Sequence, residues 1–205
     1  IARDLGQVFL ELTTEFNLGE YLHLMNDLVR AEPHVRRAVA IEKRRSKDRP
    51  LAAVDLLLAR FELYRGNLDL ARDIAQKIRA RKAVAAAHGE GESFLSPSDD
   101  VLCSMVELAT QNASNAAWDE LESRSQQFSV GQEQIEVVEA RGLSAMRAGH
   151  IDEACAYLEK AIGLAARIPT CMHERLGARL REARDRIRND MNPAGLREDA
   201  GADGT

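Results

Sequence analysis

Any chemistry in this chain would have to start from three cysteines and five histidines. Cys171-Met172-His173 sets a thiol and an imidazole two positions apart. A metal ion needs three or four converging ligands, and no other pair lies near in sequence. There is no His-Glu-x-x-His and no Cys-x-x-Cys. Cys155 falls inside a helical pattern, which reads as a small buried residue rather than a redox switch. His23, His34, His88 and His150 are scattered, and His150 sits in a tight turn where a polar residue belongs anyway. Gly89-Glu90-Gly91 is too short for a phosphate loop of the P-loop or dinucleotide type, and its acidic neighbours would repel phosphate. No nucleophile, base and acid can be grouped. The expectation is no enzyme, no metal site and no cofactor.

A second candidate is charge. Arg36, Arg37, Lys43, Arg44, Arg45, Lys47 and Arg49 follow one another closely. They could form a docking patch for an anion. A solvated helix end carries more weight, since cations near a helix C-terminus are favourable and isolated surface charge contributes little.

The elements that would position these residues are helices. The chain has 205 residues, of which 45% are hydrophobic, 30% charged and only 4% aromatic. Strand-forming runs of Val, Ile and Thr are missing, so the class is all-α, with room for one elongated domain or two small ones. A net charge of −5 and a pI near 5.6 argue against nucleic-acid binding by this stretch. No apolar run approaches the roughly 18 residues that would span a membrane. The odd cysteine count fits a reducing, cytoplasmic setting better than a disulfide framework. The chain opens at Ile1 without methionine or a signal-like segment and reads as a piece of a longer polypeptide. Its alanine- and arginine-rich composition suggests a high-GC genome of the bacterial type.

The clearest pattern lies between Ile135 and Ile168. Ile151, Ala154, Tyr157, Leu158, Ala161, Ile162 and Ala165 make one apolar stripe at helical spacing. Val138, Gly142, Ala145 and Met146 make another before it, and Gly149-His150 separates the two as a helix-ending turn. The same arrangement occurs earlier. Leu51, Val54, Leu57, Leu58, Phe61 and Tyr64 precede Arg65-Gly66-Asn67, and Leu68, Ala71, Ile74, Ala75 and Ile78 follow. Between them, Ser96-Pro97-Ser98-Asp99 is a strong helix start. Val101, Leu102, Met105, Val106 and Leu108 then face a core, and Trp118, Leu121 and Phe128 mark a paired helix. At the front, Leu5, Val8, Phe9 and Leu12 form a stripe, with a break expected at Glu15-Phe16-Asn17. A second stripe from Tyr21 to Val29 should end near Pro33, followed by an extra or extended helix carrying Val35, Ala38, Val39 and Ile41.

These paired stripes resemble the tetratricopeptide repeat (TPR), a 34-residue helix-turn-helix unit. Gly66, Ala71, Gly142, Gly149, Ala154 and Ala161 fall at its small-residue and turn positions. The resemblance implies a right-handed superhelix of about four antiparallel pairs, near 1–33, 50–83, 97–128 and 135–168. A capping helix would follow at 170–188, with the remainder, 189–205, a disordered tail. It also implies a concave groove lined by Gln7, Leu10, Leu56, Arg60, Tyr64, Val106, Glu136, Glu139, Leu143 and Arg147. One subset of the family grips a C-terminal carboxylate with a lysine/asparagine clamp. Here those positions hold Gly6, Leu10, Leu56 and Arg60, so the clamp is not reproduced. Arginine and tyrosine are common interface anchors, and the function implied is the capture of a protein or peptide partner within a signalling or transcription-regulatory protein. A small-molecule or peptide sensor is the alternative. A homodimerisation module, through the exposed groove or the terminal helix with its Leu176 and Leu180, is the third reading. No membrane and no nucleic acid enter as partners.

Overall fold

The computed structural model describes residues 2–46, 51–89, 94–127 and 131–191. Those residues form nine α-helices and no strand. In order they are α1 (Ala2–Leu24), α2 (Leu28–Arg45) and α3 (Ala52–Tyr64). There follow α4 (Leu68–Ala87), α5 (Pro97–Ala109) and α6 (Asn115–Ser125). The last three are α7 (Gln132–Arg147), α8 (Ile151–Ala165) and α9 (His173–Met191). No helix among the described residues is long and apolar enough to cross a membrane. Lys47, Arg49, Glu90, Gly91, Phe128 and the tail from 192 onward lie outside the described residues.

Three of the helix pairs turn in the same way. Asn26, Gly66 and Gly149 each take a left-handed φ, at 63°, 85° and 83°. The residue after each sits at nearly one conformation: Asp27 at φ −86°, ψ 66°, Asn67 at −81°, 63°, and His150 at −85°, 68°. In each turn that residue's N–H reaches back to a carbonyl of the preceding helix: Leu22, Glu62 and Ala145, each at 2.9 Å. This is the Schellman closure, which satisfies carbonyls left over at a helix end and needs a residue able to take positive φ. Asparagine pays less for that conformation than most residues, which is why Asn26 serves where the other two turns use glycine. The α5–α6 connection is different, and Ser114 starts α6 by accepting from Ala117 N–H at 3.3 Å. Ser96 caps α5 through Asp99 N–H at 3.1 Å, with Pro97 in the first turn.

The front of the chain departs from its pattern. No break occurs at Glu15-Phe16-Asn17, because the buried stripe runs through it, from Val8 and Leu12 through Phe16 and Gly19 to Leu22. The first pair therefore extends to Arg45 instead of closing near Pro33. Pro33 lies inside α2. Its missing N–H leaves the Val29 carbonyl without a helical partner, and Val29, 86% exposed, meets water.

Small residues set the closest crossings. A Cβ on Gly142 would lie 3.2 Å from Leu158 Cγ and 3.3 Å from the Ala154 carbonyl. Ala71, Ala154 and Ala161 are fully buried. Each of α1/α2, α3/α4 and α7/α8 packs lengthwise. In addition α3 touches α1 and α5, α5 touches α7, and each of α2, α4, α6 and α8 lies on the first helix that follows it. As a result α3 and α7 are enclosed on nearly every side, and every residue from Gln134 to Leu143 is buried. The second helices bury one stripe each, as in α4 with Ala71, Ile74, Ala75 and Ile78.

Candidate functional site: an ion network and an edge cleft

Full enclosure of α7 places two carboxylates, Glu136 and Glu139, in the centre of the protein at 0% exposure. Carboxylates at such depth need partners, and the neighbouring helices supply them. From α3, Arg60 donates Nε to Glu136 Oε2 at 3.1 Å and Nη2 to Glu136 Oε1. Its Nη1 reaches Glu20 of α1 at 2.7 Å. One turn further on, Tyr64 donates its hydroxyl to Glu139 at 3.1 Å. From α9, Arg175 gives Nη2 to the same Glu139 oxygen and Nη1 to the carbonyl of His23 at 3.2 Å. The Arg175 guanidinium lies 4.7 Å from the centre of the Tyr64 ring, and His23 meets that ring edge-on at 5.0 Å.

Two guanidiniums thus face three carboxylates, of which Glu136 and Glu139 are buried and Glu20 is partly exposed. Among the described residues neither ring nitrogen of His23 has a hydrogen-bond partner, and neither has Glu139 Oε1. Burial, reinforced by Arg60 and Arg175, holds His23 well below the ordinary imidazole value. Burial raises Glu139 above the usual carboxylate range, with Glu136 adding to it and Arg175 opposing. It raises the Tyr64 hydroxyl as well. For Arg60, burial works against the charge, but Glu136 and Glu20 outweigh it and hold the guanidinium above its ordinary value. What this arrangement does is join α1, α3, α7 and α9. The Glu136, Glu139 and Arg175 side chains in it are fully covered.

The groove expected from the repeat pattern is therefore not an open one. Arg60, Tyr64, Glu136 and Glu139 come together, but against each other, and Leu56, Val106 and Leu143 are core residues. The physical reason is that α9 and the end of α1 approach each other across the inner face: Leu24 packs with Ile135, Val138, Met172 and Leu176. Gln7 and Leu10 are exposed on α1, away from the network. Leu176 and Leu180 are buried at 0% and 8% exposure, so they form no dimer surface. Exposed large apolar side chains occur instead on α1, at Phe9, Leu10, Leu18 and Tyr21, and at Met25 just after it. His23, Glu20 and Arg175 were the missed members. Their signal was charge balance: two carboxylates three apart on an inward helix face require cations from other helices.

Arg147 lies elsewhere. It lines a cleft of about 790 Å³ between the start of α4, the α5–α6 connection, α6, and the α7–α8 turn. Trp118 and Tyr157 give it apolar wall, and Arg72, Arg141 and His150 join Arg147 on its polar side. The volume falls in the range of about 300–1,000 Å³ usual for ligand clefts. Gln111, Asn112 and His150 at its rim are exposed.

The remaining candidates are accounted for structurally. Arg36 pairs with Glu62 at 2.7 Å, Arg37 with Glu11 at 2.7 Å and Arg45 with Glu42 at 2.8 Å, so much of the basic run is matched by carboxylates. The cysteines are unpaired with one another, and burial pushes the Cys103 thiol up to about 12. Among the described residues no group of three or more His, Cys, Asp or Glu side chains is arranged to hold a metal ion. Compared with protein-family models, with curated proteins and with solved structures, the chain matches none.

Proposed function

We propose that this chain is a non-enzymatic interaction domain that holds a segment of a partner protein. We read it as a TPR-like right-handed stack of helix pairs with α9 as its terminal cap. The three turns of one geometry and the packing of each pair on the next support the stack. The inner face is occupied by its own ion network, so the partner belongs at the edge, in the cleft where the second helices begin.

The observation that carries this reading is the cleft itself. It is large, open at an exposed polar rim, and backed by two aromatic side chains with arginines beside them. An interface of this make-up suits an extended peptide. The alternative, a small-molecule sensor, calls for an enclosed and mostly apolar cavity, and the exposed rim favours the peptide. The test is selection of phage-displayed random peptides on the immobilised domain, with counter-selection on a cleft-filled variant, Ala148→Trp. Enriched peptides that bind the wild type and not the variant are expected. No enrichment, or equal binding to both, overturns the reading.

A further inference from the structure

The charges that line the cleft are not equivalent. Arg141 is paired with carboxylates: its Nη1 meets Asp119 and Glu122 at 2.7 Å each, and its guanidinium covers the Tyr157 ring at 4.3 Å. Arg72 and Arg147 are engaged differently. Each gives an Nη2 donor to a carbonyl at the end of α5, Arg72 to Thr110 and Arg147 to Ala109 at 2.8 Å. Two arginines on a helix C-terminus are favourable in themselves, but this uses few of the five donors that a guanidinium carries. Among the described residues Arg147 has no carboxylate partner. Arg72 has only Asp69, 3.2 Å away and 97% exposed, and such a pair contributes little in water.

The backbone adds to the positive side. The cleft is bordered by the starts of α4, α6 and α8, through Leu68, Asn115 and His150. Neither Asn67 nor His150, which precede α4 and α8, caps its helix with a side-chain hydrogen bond. Free N–H groups at helix starts carry partial positive charge. The opposing carbonyl end of α5 is already covered by the two arginines. Two buried donors, Arg72 Nε and Arg141 Nε, have no partner. Among the described residues that line the cleft Glu153 is the one acidic side chain, and it is exposed at the rim. Burial holds the Arg147 guanidinium below its ordinary value, with no carboxylate to offset it.

We infer that the cleft takes a carboxylate-bearing peptide segment, with an acidic side chain set against Arg72 and Arg147 and an apolar neighbour against Trp118 and Tyr157. This rests on the cleft being the partner site. Charge complementarity singles out the occupant: a basic segment would be repelled by two guanidiniums that lack a buried carboxylate, and a purely apolar one would cover their remaining donors without supplying acceptors.

The experiment uses the single tryptophan of the chain, Trp118, as a reporter resident in the cleft. The full chain is titrated with capped hexaglutamate, hexaglutamine and hexalysine, and separately with acetate and inorganic phosphate, at low and at physiological salt. A saturable change in emission with hexaglutamate alone is expected. It should weaken at least about tenfold in Arg147→Gln, the scale of one hydrogen bond to a charged group. Because Arg147→Gln also removes a contact to α5, Ala148→Glu serves as a second variant: it adds a like charge at the rim and removes no contact of the arginines. It too should weaken binding while helicity is unchanged. Equal response to hexaglutamine or hexalysine, or no effect of either variant, overturns the inference. Binding of acetate or phosphate as tight as that of the peptide also overturns it in favour of a simple anion site. If peptide selection enriches non-acidic sequences that the cleft-filled variant loses, the interaction reading stands and only this inference fails.

Discussion

Replacing Arg175 by methionine is the sharpest perturbation of the centre. Both Arg175 and Glu139 have side chains at 0% exposure, so the substitution removes one charge of a pair that water cannot reach. It leaves the Glu139 carboxylate with only the Tyr64 hydroxyl, uncovers the Tyr64 ring face and frees the His23 carbonyl. Breaking a buried pair from one side costs about 3–5 kcal/mol. For a chain of this length that is a fall in Tm of roughly 6–20 °C, at about 2–4 °C per kcal/mol. Glu139→Gln should cost less, because burial already pushes that carboxyl towards its neutral form and the amide carbonyl still accepts from Tyr64. The double variant should cost clearly less than the two singles together, by a coupling on the order of 1–3 kcal/mol. Urea unfolding followed by far-ultraviolet circular dichroism and by Trp118 emission measures all three. A loss under about 1 kcal/mol for Arg175→Met, against the 3–5 expected for a buried pair, would refute the reasoning. So would strict additivity, since the two residues would then not depend on each other.

Two further outcomes follow from the same interior. His23 is held neutral in the folded state, while in the unfolded chain it takes up a proton below about pH 6.5. Its contribution is therefore complete above that pH and is lost as pH falls below it, by up to about 1.4 kcal/mol per pH unit. Glu139, raised by burial, works in the opposite sense: its contribution is complete below the ordinary carboxylate range and is lost as pH rises through its folded value. His23→Phe should flatten the wild-type decline in unfolding free energy between about pH 6.5 and 5, the region the unfolded imidazole titrates. An unchanged slope counts against the unprotonated histidine. Among the glycines, Gly142→Ala should destabilise by about 1–3 kcal/mol through overpacking against α8. Gly163→Ala, whose new Cβ meets nothing within 4 Å, should stabilise by about 0.4–1 kcal/mol. Thermal melts that fail to separate the two in sign would reject the crossing geometry.

Local chemistry was legible along most of the chain. Gly66 and Gly149 announced their turns, Ser96-Pro97 announced α5, and the stripe from Ala154 to Ala165 announced α8. Asn26 was missed because it performs a glycine's task without being one. The stripe of α1 was cut at Phe16, although nothing there ends a helix. Site residues fared by a different rule. A repeat pattern says which face of a helix looks inward, and Arg60, Tyr64, Glu136 and Glu139 do look inward. It does not say what stands opposite, because His23 and Arg175 arrive from helices far away in sequence. The cleft was least visible, since only Arg147 of its arginines lies on a position that the repeat pattern marks.

The hydrogen bond from Arg175 to the His23 carbonyl joins positions 152 residues apart. A linear array of repeats can lose units from either tip, because each unit contacts only its neighbours. Here the opening helix and the closing helix complete each other's polar groups, so truncation from one side strips the other. Removal of either α1 or α9 should therefore destabilise the other, and the run from α1 through α9 should melt as one cooperative body rather than unzip. The same long closure makes this contact a late one in folding, formed only after the intervening helices have drawn the two partners close.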